Sequence, residues 1–215
     1  MLKILLALTF VVLPHTVLDQ DGKDNQKTAT PAAENYPLDT CAVAGKKLGS
    51  MGDPIVYVHE GRQVKFCCKG CIPSFKQNAQ KYLSKVDEKI VAQQKAAYPT
   101  NKCLFSDEAL GSKSKDVVVK NRLVRVCCGG CARKLMKDPA PTFKKLDEMI
   151  ISKQGDSYPT KKCVVSGEDL GSMGKPVDVI VANTLVRVCC KGCVKKVTAD
   201  PAAALAKLKE LKKGK

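Results

Sequence analysis

At residues 64–71 the sequence reads VKFCCKGC, in which a β-prone run leads directly into a cysteine doublet and then a third cysteine. The same pattern returns as VRVCCGGC at residues 124–131 and as VRVCCKGC at residues 186–193. A lone cysteine precedes each copy, so three sets of four account for all 12 cysteines of the chain. Self-similarity at a regular spacing is typical of repeated structural units. The sequence therefore predicts three copies of one cysteine-rich unit.

The boundaries of the copies follow from a Tyr-Pro pair that opens each of them. These pairs stand at residues 36–37, 98–99 and 158–159, and the lone cysteine follows shortly after each proline. We therefore expect three independent modules, at residues 36–97, 98–157 and 158–215. Residues 21–35 are polar and have no apolar periodicity, which predicts a disordered linker before the first module.

Two periodicities within each copy predict an α+β module made of a β-hairpin and helices. In the first copy, IVYV at 55–58 and QVKF at 63–66 are β-prone runs around a turn signal at 60–61. A stripe of apolar residues at helical spacing follows in every copy: Leu83, Val86 and Ile90; Phe143, Leu146 and Ile150; and Leu205, Leu208 and Leu211. Asn78, Asp138 and Asp200 precede these stripes and are suited to cap the helices. We expect each stripe to pack on its hairpin.

The spacing of the cysteines indicates metal ligands. Cysteines three or four residues apart at the start of a helix place two sulfur atoms on one face, and the helix N-terminus stabilises thiolate. The lone cysteine closes the site from the loop before the hairpin. A shell of three or four cysteines suits Zn(II) or Cu(I), with about one ion per module. The candidate ligands are Cys41, Cys67, Cys68 and Cys71; Cys103, Cys127, Cys128 and Cys131; and Cys163, Cys189, Cys190 and Cys193.

These residues also carry a resemblance to known families. A lone Cys41 followed by Cys67-x3-Cys71, with Phe66 before the doublet and Phe75 after it, resembles the TRASH and YHS families of small metal-binding domains. The resemblance implies a treble-clef-like fold and a role in heavy-metal sensing, transport or resistance. It also implies that the lone cysteine, the first doublet cysteine and the third cysteine of each copy are the ligands.

The identity of the fourth ligand stays open. A related four-cysteine knuckle has a second cysteine where this chain has Ala44, Ser106 and Ser166. The second doublet cysteine could replace that ligand, although adjacent residues reach one ion only with strained geometry. Met51 and Met173 could offer a soft thioether, but the second copy has no counterpart, and His59 has none in the other two copies.

Three functions are compatible with such a constellation. Binding, buffering or delivery of a soft metal is one, and structural zinc in an interaction protein is the second. Disulfides without metal are the third, because an exported chain meets an oxidising environment. We do not expect an enzyme, because a cysteine nucleophile needs a base and the chain has 2 histidines, one of them at position 15 in the predicted export signal. A C-x-x-C redox pair is the best enzymatic alternative, but the predicted hairpin and helix lack the context of thioredoxin.

The N-terminus and the charge bear on location and partners. Residues 1–20 predict an export signal, with Lys3 before an apolar run at 4–13 that is too short to span a bilayer, and an uncleaved signal is the alternative membrane attachment. We therefore expect the exported protein to be periplasmic or secreted. The net charge of +16 would suit an acidic partner, such as a metal-transport protein. Lysines without interleaved aromatic residues argue against a specific nucleic-acid surface.

Overall fold

The computed structural model describes residues 35–213 and the two-residue strand at 30–31. The predicted export signal lies outside the described residues, as does most of the predicted linker. The strands are β1 (Thr30–Pro31), β2 (Ile55–His59), β3 (Arg62–Phe66), β4 (Lys115–Val119), β5 (Arg122–Val126), β6 (Val177–Val181) and β7 (Thr184–Val188). The helices are α1 (Cys71–Gln77), α2 (Ala79–Lys95), α3 (Gly129–Lys137), α4 (Ala140–Gly155), α5 (Lys191–Ala199) and α6 (Pro201–Lys213).

Each repeat is one hairpin followed by a short helix and a longer helix, which confirms the predicted mixture of hairpin and helices in three small units. We call residues 36–97, 98–157 and 158–213 units one, two and three. The antiparallel pairs are β2 with β3, β4 with β5 and β6 with β7. Both turn residues of each hairpin have positive φ, for example 49° at Lys120 and 65° at Asn121. Such turns match the twist of the strands, and asparagine and glycine adopt them readily.

The longer helices begin and pack as the sequence predicts. The Asn78 side chain accepts a hydrogen bond from the Lys81 N–H at 3.2 Å, and Asp200 accepts one from the Ala203 N–H at 3.1 Å. These caps separate the short helix from the long one. Val86 and Ile90 on α2 are buried in the same cluster as Phe66 of the hairpin. The helical stripe is therefore core, and it fixes the hairpin over the start of the short helix.

The structure joins the units through their hydrophobic cores. Val118 of the second hairpin packs against the core of unit one. Ile180 and Leu185 of the third hairpin are buried in the core of unit two. The second and third hairpins therefore each have one side in their own unit and another on the long helix of the preceding unit.

A polar junction accompanies each of these contacts. In the first junction the Arg62 Nε donates to the Asn121 side-chain oxygen at 2.7 Å, and the Asn121 amide donates to the Gln63 carbonyl at 2.8 Å. Gln94, at the end of α2, donates to the Asn121 carbonyl at 3.1 Å and accepts from the Leu123 N–H at 2.8 Å. Gln94 is fully buried, so its amide completes backbone groups of unit two that water does not reach.

The second junction repeats the first with equivalent residues. Arg122 Nε donates to the Asn183 side chain at 2.8 Å, and Asn183 donates to the Leu123 carbonyl at 2.9 Å. Gln154 bonds the Asn183 carbonyl and the Leu185 N–H. The Arg122 guanidinium is 1% exposed, pairs with Asp147 and lies 5.0 Å from the Phe143 ring centre. A buried charge of this kind is stable only while its partners stay in place.

Units one and three also meet. Lys65 donates from Nζ to the Ala199 carbonyl at 3.2 Å, at the end of α5, where a cation complements the helix dipole. Asn35 donates to the adjacent Thr198 carbonyl. Within the segment expected to be a disordered linker, Thr30–Pro31 pair in parallel with Val179 and Ile180 of β6. Composition predicts disorder but does not reveal an open strand edge with which a short segment can pair.

The three units thus contact one another through their cores and two polar junctions, and the independent folding of the modules stays a prediction. Repetition in the sequence shows that the units share a fold, but it does not show which faces they present to each other. The polar contacts are made by residues that the sequence alone does not distinguish from ordinary surface residues. These are Gln94 and Gln154 on helices and Asn121 and Asn183 in turns.

We predict that Gln94→Ala destabilises unit two although the residue belongs to unit one. The substitution removes the hydrogen bonds of Gln94 to the Asn121 carbonyl and from the Leu123 N–H, and leaving a buried backbone donor such as the Leu123 N–H unsatisfied costs about 1–3 kcal/mol. Hydrogen exchange of the Leu123 amide should accelerate accordingly.

Gln93→Ala is the matched control, because this neighbouring residue on α2 is exposed and its side chain makes one 3.4 Å bond, to the Pro37 carbonyl. It should change the exchange of Leu123 little. Equal exchange rates in the two variants would show that the junction does not stabilise unit two.

Candidate metal centre

Each unit brings three cysteines together from three separate elements. In unit one, Cys41 lies in a tight turn in which its N–H donates to the Lys46 carbonyl at 2.7 Å and its carbonyl accepts from Gly45 at 3.0 Å. Gly45 has φ +66°, which glycine adopts without strain. Cys67 follows directly after β3, and Cys71 is the first residue of α1. Turn, strand end and helix start therefore converge on one point.

The same convergence occurs in all three units. The ligand atoms of each group lie within 4.8 Å of one another, and the three groups are Cys41, Cys67 and Cys71; Cys103, Cys127 and Cys131; and Cys163, Cys189 and Cys193. These nine residues include every cysteine that the family resemblance implies as a ligand. We call each group a cysteine triad.

The distances within the triads fit coordination of one ion. The sulfur of Cys71 lies 3.7 Å from that of Cys41 and 3.8 Å from that of Cys67. A tetrahedral zinc with Zn–S bonds of about 2.3 Å separates its sulfurs by about 3.8 Å. A disulfide needs sulfurs about 2.05 Å apart, and all 12 cysteines are free thiols in this structure.

The second doublet cysteine stands outside each triad. Cys68 is half-buried, with its sulfur 3.8 Å from that of Cys71, while Cys128 is exposed and Cys190 is half-buried. Cys128 and Cys190 are the N-cap residues of α3 and α5 and have extended backbones. The predicted role of these three cysteines as ligands stays a prediction, because the geometry groups the other nine.

The surroundings of the triads favour one thiolate in each. Burial opposes ionisation of Cys103, but hydrogen bonds from the backbone of Cys127 and Phe105 and from Ser106 outweigh it and lower its pKa to about 6. The pKa of Cys163 is lowered to about 6 in the same way. In contrast, burial and the neighbouring thiols raise the pKa of Cys71 to about 12. A bound cation would replace the protons that such a cluster retains.

The remaining candidates lie apart from the triads. Met51 and Met173 are loop residues with 54% and 65% of their surface exposed. His59 packs edge-on against Phe75, with ring centres 5.3 Å apart. It belongs to no triad in the described part of the chain.

Sequence reasoning treated Ser106 and Ser166 only as places where a cysteine is missing. In the structure the Ser106 hydroxyl lies 3.4 Å from the Cys127 sulfur, and the Ser166 hydroxyl lies 3.5 Å from the Cys189 sulfur. Their position three residues after the lone cysteine is the signal that could have identified them. Unit one has Ala44 there.

Comparison with models of protein families, with curated proteins and with solved structures finds no match to this chain. Among the residues that the structure describes, no helix combines the length and apolarity needed to cross a bilayer.

We predict that Cys67→Ser and Cys68→Ser differ in their effect on metal binding. Cys67 belongs to the triad of unit one, so its loss should remove one equivalent of metal from the chain. Cys68 lies outside the triad, so its loss should leave the metal content unchanged.

Elemental analysis of the two purified variants under anaerobic conditions measures this difference. The two substitutions remove the same atom from adjacent residues, so each controls for the other. Loss of one equivalent in Cys68→Ser would make Cys68 a required ligand.

Proposed function

We propose that this protein binds soft or borderline metal ions through thiolates, one ion in each unit, and that it buffers or delivers them. The observation that carries the proposal is the cysteine triad, which occurs in all three units. The triad cysteine on the short helix lies 3.7 or 3.8 Å, sulfur to sulfur, from the first doublet cysteine of its unit. In unit one it also lies 3.7 Å from the sulfur of the lone cysteine. A chance cluster of thiols would not recur in the same geometry in three units.

The donor set selects the class of ion. Thiolate sulfur prefers Zn(II), Cu(I) and similar ions over the hard cations that oxygen ligands hold. A bound ion would link the turn, the hairpin and the short helix, which are otherwise held by a small core. If the ion has a structural role, it would stabilise each unit by an apparent energy of roughly 10–16 kcal/mol, as structural zinc does in small domains.

The family resemblance, the export and the lack of catalytic activity that we expect from the sequence are also part of this proposal. We propose that the units are related to the TRASH and YHS domains and share their treble-clef-like fold. The turn, the hairpin end and the helix start supply the candidate ligands in that order. We also propose an exported protein without catalytic activity.

A structural role for the metal is the second candidate, and one observation favours it. Cys41, Cys67 and Cys71 are buried in the same cluster as Phe66 and Phe75, so the site is continuous with the core of unit one. In that case the metal would hold the fold, and the basic helices would be the surface that meets an acidic partner.

The metal and free-thiol content of the chain, purified anaerobically from its exported compartment, tests the proposal. We expect about three equivalents of bound metal, one per triad. Disulfides with no bound metal would refute metal binding.

The rate at which the metal exchanges distinguishes a role in metal handling from a structural role. If the protein delivers metal, a competing small thiol should remove the ions while amide exchange in the hairpins stays slow. If the metal is structural, its removal and the loss of protection in the hairpins should occur together.

A further inference from the structure

The three triads are alike, but the turns that carry their lone cysteines differ in two side chains. The backbone of this turn is the same in each unit, because Cys41, Cys103 and Cys163 donate from N–H to the carbonyl five residues later at 2.7, 2.8 and 2.7 Å. Side chains at equivalent places can therefore be compared directly. Two of these places stand three and five residues after the lone cysteine, and the serine side chains at the first place in units two and three lie beside a triad sulfur.

Units two and three share one pair of side chains at these places. They are Ser106 with Glu108 and Ser166 with Glu168, whereas unit one has Ala44 with Lys46. The serine hydroxyls lie 3.4 and 3.5 Å from the sulfurs of Cys127 and Cys189. The turn of unit one offers no oxygen side chain at the place of the serine.

Each serine oxygen lies about as far from one triad sulfur as a fourth ligand of a tetrahedral ion would. With bonds of about 2.3 Å to sulfur and about 2.0–2.2 Å to oxygen, a tetrahedral zinc separates the two kinds of ligand by about 3.6 Å. The observed distances of 3.4 and 3.5 Å are close to this value. The Ser106 hydroxyl donates to a Glu108 carboxylate oxygen at 3.2 Å, and the Ser166 hydroxyl accepts from the Glu168 N–H at 3.3 Å, so each oxygen keeps at least one lone pair for an ion.

In unit one the triad sulfurs make hydrogen bonds with backbone and with sulfur. The Ala44 N–H donates to the Cys41 sulfur at 3.4 Å, and the Cys68 sulfur lies 3.8 Å from that of Cys71. Lys46 brings a positive charge to this turn where Glu108 brings a negative one to unit two. The sulfur atoms of unit one therefore have no oxygen ligand from the turn.

We propose that the chain holds two classes of metal site: mixed sites of three sulfurs and a serine oxygen in units two and three, and a sulfur-only site in unit one. This inference rests on the proposed metal binding and deepens it. A fourth ligand completes the tetrahedral shell that Zn(II) prefers, whereas three sulfurs alone suit the lower coordination number of the softer, monovalent Cu(I). Units two and three therefore take zinc, and unit one takes copper in preference.

X-ray absorption of the zinc-loaded full chain tests the position of the serines. In the double variant Ser106→Cys with Ser166→Cys, a sulfur replaces oxygen at the fourth corner of two sites. The sulfur coordination should rise and the oxygen contribution should fall. Thiolate-to-metal absorption of the cobalt-loaded chain should rise in parallel, because it grows with the number of bound thiolates.

Ser172→Cys is the matched control, because Ser172 lies in an exposed loop and donates to the Asp169 carbonyl at 2.8 Å. It adds a thiol without changing the sites, so both spectra should stay as in the unsubstituted chain. Unchanged sulfur coordination in the double variant, with metal still bound, would overturn the inference alone. No metal in the unsubstituted chain would overturn the proposed function and the inference with it.

Copper competition tests the choice of ion. One equivalent of Cu(I), added anaerobically to the zinc-loaded chain, should displace zinc from unit one, and Cys41→Ser should abolish this first displacement. Ala44→Ser with Lys46→Glu gives unit one the turn of the other units and should reduce its preference for copper at least several-fold. Equal distribution of copper over the three sites would overturn the assignment.

Discussion

The convergence of three sulfurs at the start of a short helix is the constraint on which each unit depends. Cys71 is the first residue of α1, Cys67 ends the hairpin and Cys41 comes from the preceding turn, so one point joins three elements. Buried thiols in contact with one another gain little energy by themselves. What their proximity provides is a site at which one cation can replace several protons and connect all three elements. The small cores around the triads, such as that of Phe66 and Phe75, hold the elements near this geometry.

The junctions link each site to the next. Leu123, whose N–H is held by Gln94 of unit one, lies on the same strand that leads to Cys127. A change in the position of α2 is therefore transmitted to a strand that carries a ligand of unit two. The second junction has the same relation to Cys189 through Leu185 and Gln154. The ends of the array differ in a consistent way: Gly61 replaces the junction asparagine in unit one, and Thr184 replaces the junction arginine in unit three.

The hairpins and the helix caps were predictable from the sequence because each depends on residues close together in the chain, and the nine triad cysteines were predictable because their spacing recurs in all three copies. A pair of β-prone runs around a turn predicts a hairpin, and Asn78 before an apolar stripe predicts the start of a helix, without information from the rest of the chain. The junctions were not predictable in this way. Gln94 reads as an ordinary polar helix residue, and Asn121 reads as a turn residue, yet each is buried by a neighbouring unit. Only the relative placement of the units shows that their amides complete each other's hydrogen bonds.

Repetition also makes the differences between the units informative. Where three copies share a backbone, a residue that varies at one place cannot be required by the fold of that place. The serine and glutamate pair of units two and three, and the alanine and lysine pair of unit one, occupy the same turn with the same hydrogen bonds. Packing and backbone geometry therefore do not account for the choice between them. In the proposed metal sites a hydroxyl and a carboxylate would change the donor set and the charge, whereas a methyl group and a lysine would leave the donors to sulfur.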